Sequence, residues 1–120
     1  MKKLILILSV VMLSGCSTIN AIKDLWPRAH DPAMFDNLVS VSLAVDHVDC
    51  EKADWTHAQR AAEKVSRYAE WRQDPQTKNL QGLLTHIQRL NKGGSKVFCE
   101  LGKKTAAQRI QAAKTAWEGR

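Results

Sequence analysis

The sequence predicts an all-α domain, a small three- to four-helix up-down bundle closed by one disulfide and carried behind an amino-terminal signal peptide. Three observations predict it. From Met34 to Trp117 the apolar residues recur at spacings of three and four and nowhere alternate convincingly with period two. Asp31-Pro32, Asp54, Asp74-Pro75, Gly93-Gly94 and Ser95 punctuate those stretches with helix start and stop signals. Cys50 and Cys99 fall at two helix ends that an up-down topology brings to one pole. The length of 120 residues allows one compact domain, and 44% hydrophobic with 25% charged residues excludes a disordered tail or a multi-span membrane protein. Six Gly and three Pro exclude a collagen-like chain.

The first segment is an address. Lys2 and Lys3 precede an almost unbroken apolar run, Leu4 to Leu13. Ten helical residues cover roughly half of a ~30 Å hydrocarbon core, the size of a signal-peptide core and too short for a stable span. Leu13-Ser14-Gly15-Cys16 then resembles the lipobox of bacterial lipoproteins. That resemblance implies cleavage before Cys16, diacylglycerol on its thiol and an acylated amino group. Ser17 follows, where Asp would favour inner-membrane retention in the enterobacterial sorting pattern. The implied address is the outer membrane, on the leaflet facing the periplasm, with lipid held through Cys16. Residues 1–15 are thus the signal peptide, 16–30 a lipidated tether and 31–120 the helical periplasmic domain. The mature chain would keep 16 basic and 12 acidic side chains.

In the tether, Ile19, Ile22, Leu25 and Trp26 have helical spacing, and Pro27 ends it. Trp26 belongs either at the lipid interface or against the domain. Asp31-Pro32 opens the first helix of the domain, an acidic cap followed by Pro at the first helical position. Met34, Leu38, Val41, Val45 and Val48 form its stripe over about residues 32–50, widened by Phe35 and Val39. Asp46, Asp49 and Glu51 crowd its carboxyl end, where the helix dipole disfavours them unless a cation or a tight turn intervenes. Asp54 caps a second helix to about Arg72, with Trp55, Ala58, Ala62, Val65 and Tyr68 or Ala69 on its stripe; one continuous helix is the alternative. Asp74-Pro75 starts the third, with Leu80, Leu83, Leu84, Ile87 and Leu90 on one face before Gly93-Gly94. Ser95 caps the fourth, whose stripe is Cys99, Gly102, Ala106, Ile110, Ala113 and Trp117.

Lipidation would use Cys16, which resolves the odd cysteine count and leaves Cys50 and Cys99. An oxidising periplasm favours joining them. Closing a loop of this length is worth roughly 4 kcal/mol in the chain-entropy model.

Chemistry is thin. His47 shares a helix face with Cys50, and a zinc site could be drawn with Cys99 and a second histidine, but no paired CxxC or HExxH spacing is present. His47 and His57 beside Asp46 and Asp54 read as solvated. There is no GxSxG and no phosphate-cradling glycine loop. The carboxylates Asp46, Asp49, Glu51 and Asp54 read as an acidic helix end rather than a glycosidase pair. The expectation is a non-enzyme with no metal and no cofactor beyond the lipid on Cys16.

Charge is segregated. From Asp31 to Asp74 there are nine acids and five bases; from Arg89 to Arg120 there are eight bases and two acids. Lys96, Lys103 and Lys114 fall together beside the apolar stripe of the last helix, with Lys104 adjacent. In a lipid-anchored periplasmic chain this points to a solvated face, anionic headgroups or an acidic partner rather than nucleic acid. Trp55, Trp71 and Trp117 lie at or near helix ends. They either fill the core or line, with Leu, a groove for a partner helix.

A small outer-membrane lipoprotein whose helical domain is stapled from first helix to last resembles the helical secretin pilotins of type II secretion. The likeness runs from Asp36 to about Ala113 by layout: an apolar helix ending in Val48-Asp49-Cys50, a polar two-helix middle, and Cys99 opening the final helix. The chain reads Glu51-Lys52-Ala53-Asp54 where the family places a polar-Leu-Pro turn. The resemblance implies a protein-binding module that captures a short helix from the secretin carboxyl terminus and escorts it to the outer membrane. The competing expectations are a phage- or plasmid-encoded lipoprotein for superinfection or entry exclusion or for lysis, and a structural envelope lipoprotein.

Overall fold

In the computed structural model, residues 31–119 are described. The signal peptide, Cys16 and the tether with Trp26 lie outside them. The described residues form four helices: α1 (Pro32–Asp46), α2 (Thr56–Trp71), α3 (Thr77–Asn91) and α4 (Lys96–Glu118). The domain is all-α, as the spacing predicts.

Each helix packs on its neighbour in the chain, and α4 closes the ring against α1. Contacts at the two poles fix the directions. At one pole the start of α1 meets the end of α4, where the rings of Phe35 and Trp117 pack edge to face with centroids 5.8 Å apart. The α2–α3 turn joins them there, because Trp117 Nε1 donates to Asp74 Oδ1 at 3.2 Å. At the other pole Cys50 and Cys99 are disulfide-bonded, with Cα atoms 5.6 Å apart. The bundle therefore runs up-down-up-down, and the predicted staple ties the segment after α1 to the first turn of α4.

The core is built from the four predicted stripes. Met34, Leu38, Val41, Val45 and Val48 are buried on the α1 side. Trp55, Ala58, Ala62, Val65 and Ala69 are buried on α2 and its approach, and Leu80, Leu83, Ile87 and Leu90 on α3. Cys99, Ala106, Ile110, Ala113 and Trp117 are buried from α4. Small residues let backbones approach. A Cβ on Gly102 would stand 2.3 Å from Leu90 Cδ2, so α4 crosses α3 at a distance only glycine permits there. His86 on α3 donates from Nε2 to the Gly102 carbonyl at 3.0 Å, which satisfies one main-chain acceptor at this crossing.

The structure departs from the spacing at several points. First, α1 stops at Asp46, not near residue 50, and residues 47–55 are a connection rather than a continuous helix. Asp49 organises that connection: its Oδ1 accepts from Glu51 N at 2.9 Å and its carbonyl from Ala53 N at 2.8 Å. Ala53 sits at a positive φ of 50°, which closes the turn. Second, Asp74-Pro75 begins a turn that precedes α3. Asp74 Oδ1 accepts from Gln76 N at 2.8 Å and its carbonyl from Thr77 N at 3.0 Å, so regular helix starts at Thr77. Third, Val39 does not widen the core stripe. It is 55% exposed, because α1 turns that flank outward beside the seam with α4. The Ser95 cap is formed, with its Oγ accepting from Phe98 N at 3.1 Å.

Candidate functional site

The α1–α4 seam is the most sparsely packed of the four. An open groove of about 340 Å³ lies along it. Phe35, Leu38, Val39 and Leu43 line it from α1, and Ala107, Ile110 and Lys114 from α4. Val39 and Leu43 are one helical turn apart and are 55% and 52% exposed, so the groove has an apolar wall open to solvent. α1 is apolar on nearly every side, with Asp36 and Asp46 its only charged residues. A helix of that character is normally covered on more faces than this bundle covers.

The predicted basic surface follows the same seam. Lys103 turns inward: its Nζ donates to the carbonyls of Asp46 and Val48, each at 3.0 Å. Lys96 pairs with Glu51 across the disulfide pole, and Lys114 pairs with Glu118 at 2.7 Å one turn along α4. Both pairs are exposed and therefore contribute little to stability. Lys104 is exposed on the outer side of α4. Lys96, Lys103 and Lys114 thus occupy the α1-facing edge of α4, with Lys114 on the groove itself.

The tryptophans divide. Trp55 and Trp117 are core residues, and Trp71 lies exposed on α2; none of the three lines the α1–α4 groove. Trp55 N donates to Asn91 Oδ1 at 3.0 Å, and Asn91 Nδ2 to Gln59 Oε1 at 3.0 Å, which joins the α2 start to the α3 end. The indole nitrogen of Trp55 is buried with no partner, a cost set against complete burial of the ring.

His47 is exposed, and its Nδ1 donates to Leu43 O at 2.7 Å. Cys50 and Cys99 are consumed by the disulfide. Among the described residues, no three His, Cys, Asp or Glu side chains are grouped to hold a metal ion. Asp54 accepts from Thr56 N at 3.0 Å. Hydrogen bonding from the Thr56 side chain and backbone, with help from the charge of His57, holds its carboxyl below the ordinary value. Asp54 therefore does not cap α2 as the spacing predicts: Trp55 holds the N-cap position without a side-chain bond, and Asp54, one residue earlier, forms a turn onto Thr56. No helix among the described residues is long and apolar enough to cross a membrane.

No protein-family model, curated protein or solved structure matches this chain. Core filling holds for Trp55 and Trp117, and the alternative of a groove lined by Trp and Leu has no counterpart at the α1–α4 seam. Its apolar lining is aliphatic, from Leu38, Val39, Leu43, Ala107 and Ile110, with Phe35 the one aromatic contributor, and Ser42, Gln111 and Lys114 add polar groups.

Proposed function

We propose that this chain is an envelope lipoprotein, anchored to the outer membrane through Cys16, whose bundle captures an amphipathic helix of a partner in the α1–α4 groove. The partner fitting the resemblance is the carboxyl-terminal helix of a secretion-system secretin, which makes the protein a pilotin-like chaperone. The observation that carries the reading is the exposed pair Val39 and Leu43 facing Ala107 and Ile110 across an open seam. A helix laid there covers the apolar wall with residues at spacings of three and four, the helix-in-groove mode. Lys114, which lines the groove, favours an acidic side chain on the flank of that helix.

The test is genetic and biochemical. Deletion should leave secretin multimers misplaced from the outer membrane, and Leu43→Asp should reproduce the defect while the protein accumulates normally. Secretin correctly placed in the deletion strain would sink the pilotin reading. If phage or conjugation susceptibility changed instead, the exclusion reading would take its place.

A further inference from the structure

The outer face of α2 has a pattern that the groove does not use. Arg60, Lys64, Arg67 and Trp71 are spaced by four, three and four. At 3.6 residues per turn they fall within about 60° of one another. That row lies opposite the stripe Ala58, Ala62, Val65 and Ala69, which is buried in the core. Arg60, Lys64 and Arg67 are exposed, and no ion pair engages them among the described residues. Glu63 lines the same open hollow as the row, and Glu70 borders the row on that side. Glu63 is itself engaged, accepting from Gln59 Nε2 at 3.2 Å.

Trp71 closes the row and is 78% exposed, the most exposed large apolar side chain among the described residues. An indole is a large apolar body with one donor, and it is stable where hydrocarbon meets polar headgroups. Its position matters too. α2 ends at the pole where α1 begins, so Trp71 lies at that end of the bundle. α2 is also diagonal to α4 in the ring, so a surface against α2 leaves the α1–α4 groove open.

We propose that the α2 row Arg60, Lys64, Arg67 and Trp71 lies against the anionic surface of a phospholipid bilayer. The cations meet headgroup phosphates and Trp71 enters the headgroup boundary. This deepens the reading of an anchored lipoprotein: the anchor holds the chain at the membrane, and the α2 face sets its orientation there, groove outward.

The test uses the full lipidated protein in phosphatidylglycerol or phosphatidylcholine vesicles, with amine-reactive ester labelling of lysines read by mass spectrometry. Lys64 reports the α2 face and Lys104 the opposite side of the bundle. Phosphatidylglycerol should lower Lys64 labelling about five-fold relative to phosphatidylcholine, the attraction expected for one cation at an anionic leaflet, and leave Lys104 unchanged. High salt should abolish the difference. Arg60→Ala with Arg67→Ala should erase the protection while circular dichroism stays that of the parent. Brominated phosphatidylglycerol should quench fluorescence that Trp71→Phe removes. Protection of Lys104 instead of Lys64, persistence of Lys64 protection in the double variant, or equal protection by soluble polyphosphate without vesicles would each overturn the proposal. Flotation with neutral vesicles reports the anchor alone, so failure of the anchor and failure of the α2 face are read separately.

Discussion

Lys103 on α4 places its ammonium 3.0 Å from the carbonyl oxygen of Asp46, the last residue of α1. A second bond from the same nitrogen reaches Val48 O. A helix ends in unpaired carbonyls and partial negative charge, and α1 adds Asp46, Asp49 and Glu51 to that end. Lys103 supplies the cation, from a helix more than fifty residues later in the chain. Its first role is therefore to hold α1 against α4, and the groove lies between those same two helices.

Replacing Lys103 with Met should remove both bonds and keep the aliphatic stem. The expected loss is about 1–2 kcal/mol in urea unfolding. Lys104→Met, one residue along and exposed, should stay within about 0.5 kcal/mol of the parent. Equal effects at the two positions would mean that only net charge matters.

The Cys50–Cys99 bond closes a loop with a sequence separation of 49. Its loss, by reduction or by paired Ser substitution, should cost roughly 4 kcal/mol in the chain-entropy model. That is a large share of the ~5–15 kcal/mol typical of a domain. Non-reducing peptide mass spectrometry should find the two residues linked. Free, alkylatable thiols at Cys50 and Cys99 in the native protein would contradict it.

Gly102→Ala would add a methyl 2.3 Å from Leu90 Cδ2. The helix-propensity gain from Gly to Ala is about 1 kcal/mol, but forcing a methyl into a packed crossing costs about 1–3 kcal/mol or more. The net should be destabilising. In a double-mutant cycle with Leu90→Ala, the combined loss should be smaller than the sum, because the truncation makes room for the methyl.

Asp54 is held below its ordinary carboxylate value, first by hydrogen bonding from the Thr56 side chain and then from the Thr56 backbone. A carboxyl lowered in the folded state stabilises above its unfolded value, about 3.9, and that stabilisation is lost as pH falls through the folded value. Asp54→Asn should flatten this part of the stability profile below about pH 4 and leave it unchanged at neutral pH apart from a constant offset. An identical acid limb in the variant would place the effect on other groups.

The stripes were readable because burial in a bundle repeats with the helix turn. Leu80, Leu83, Ile87 and Leu90 show the period directly, and so do Cys99, Gly102, Ala106, Ile110, Ala113 and Trp117. Val39 was misplaced because apolarity marks what can be buried, and the ring of four helices leaves the flank of α1 beside the seam uncovered. The early stop of α1 was not legible, since it depends on Lys103 from another helix and on the Asp49 turn. Nor was the pairing of Trp117 with Asp74, or of His86 with the Gly102 carbonyl. Periodicity says which face a residue takes, and not which polar atom on a neighbouring helix it will meet. The site was half visible: the lysine row could be read from spacing, while its place along the groove required the topology.

Capture of a helix between α1 and α4 should be visible in methyl NMR of the full chain titrated with a peptide of the secretin carboxyl terminus from the same genome. Saturable shifts should appear at Val39, Leu43 and Ile110, and Leu43→Asp should abolish them with the fold intact. No saturation up to about 1 mM, or shifts confined to α2 and α3, would contradict it.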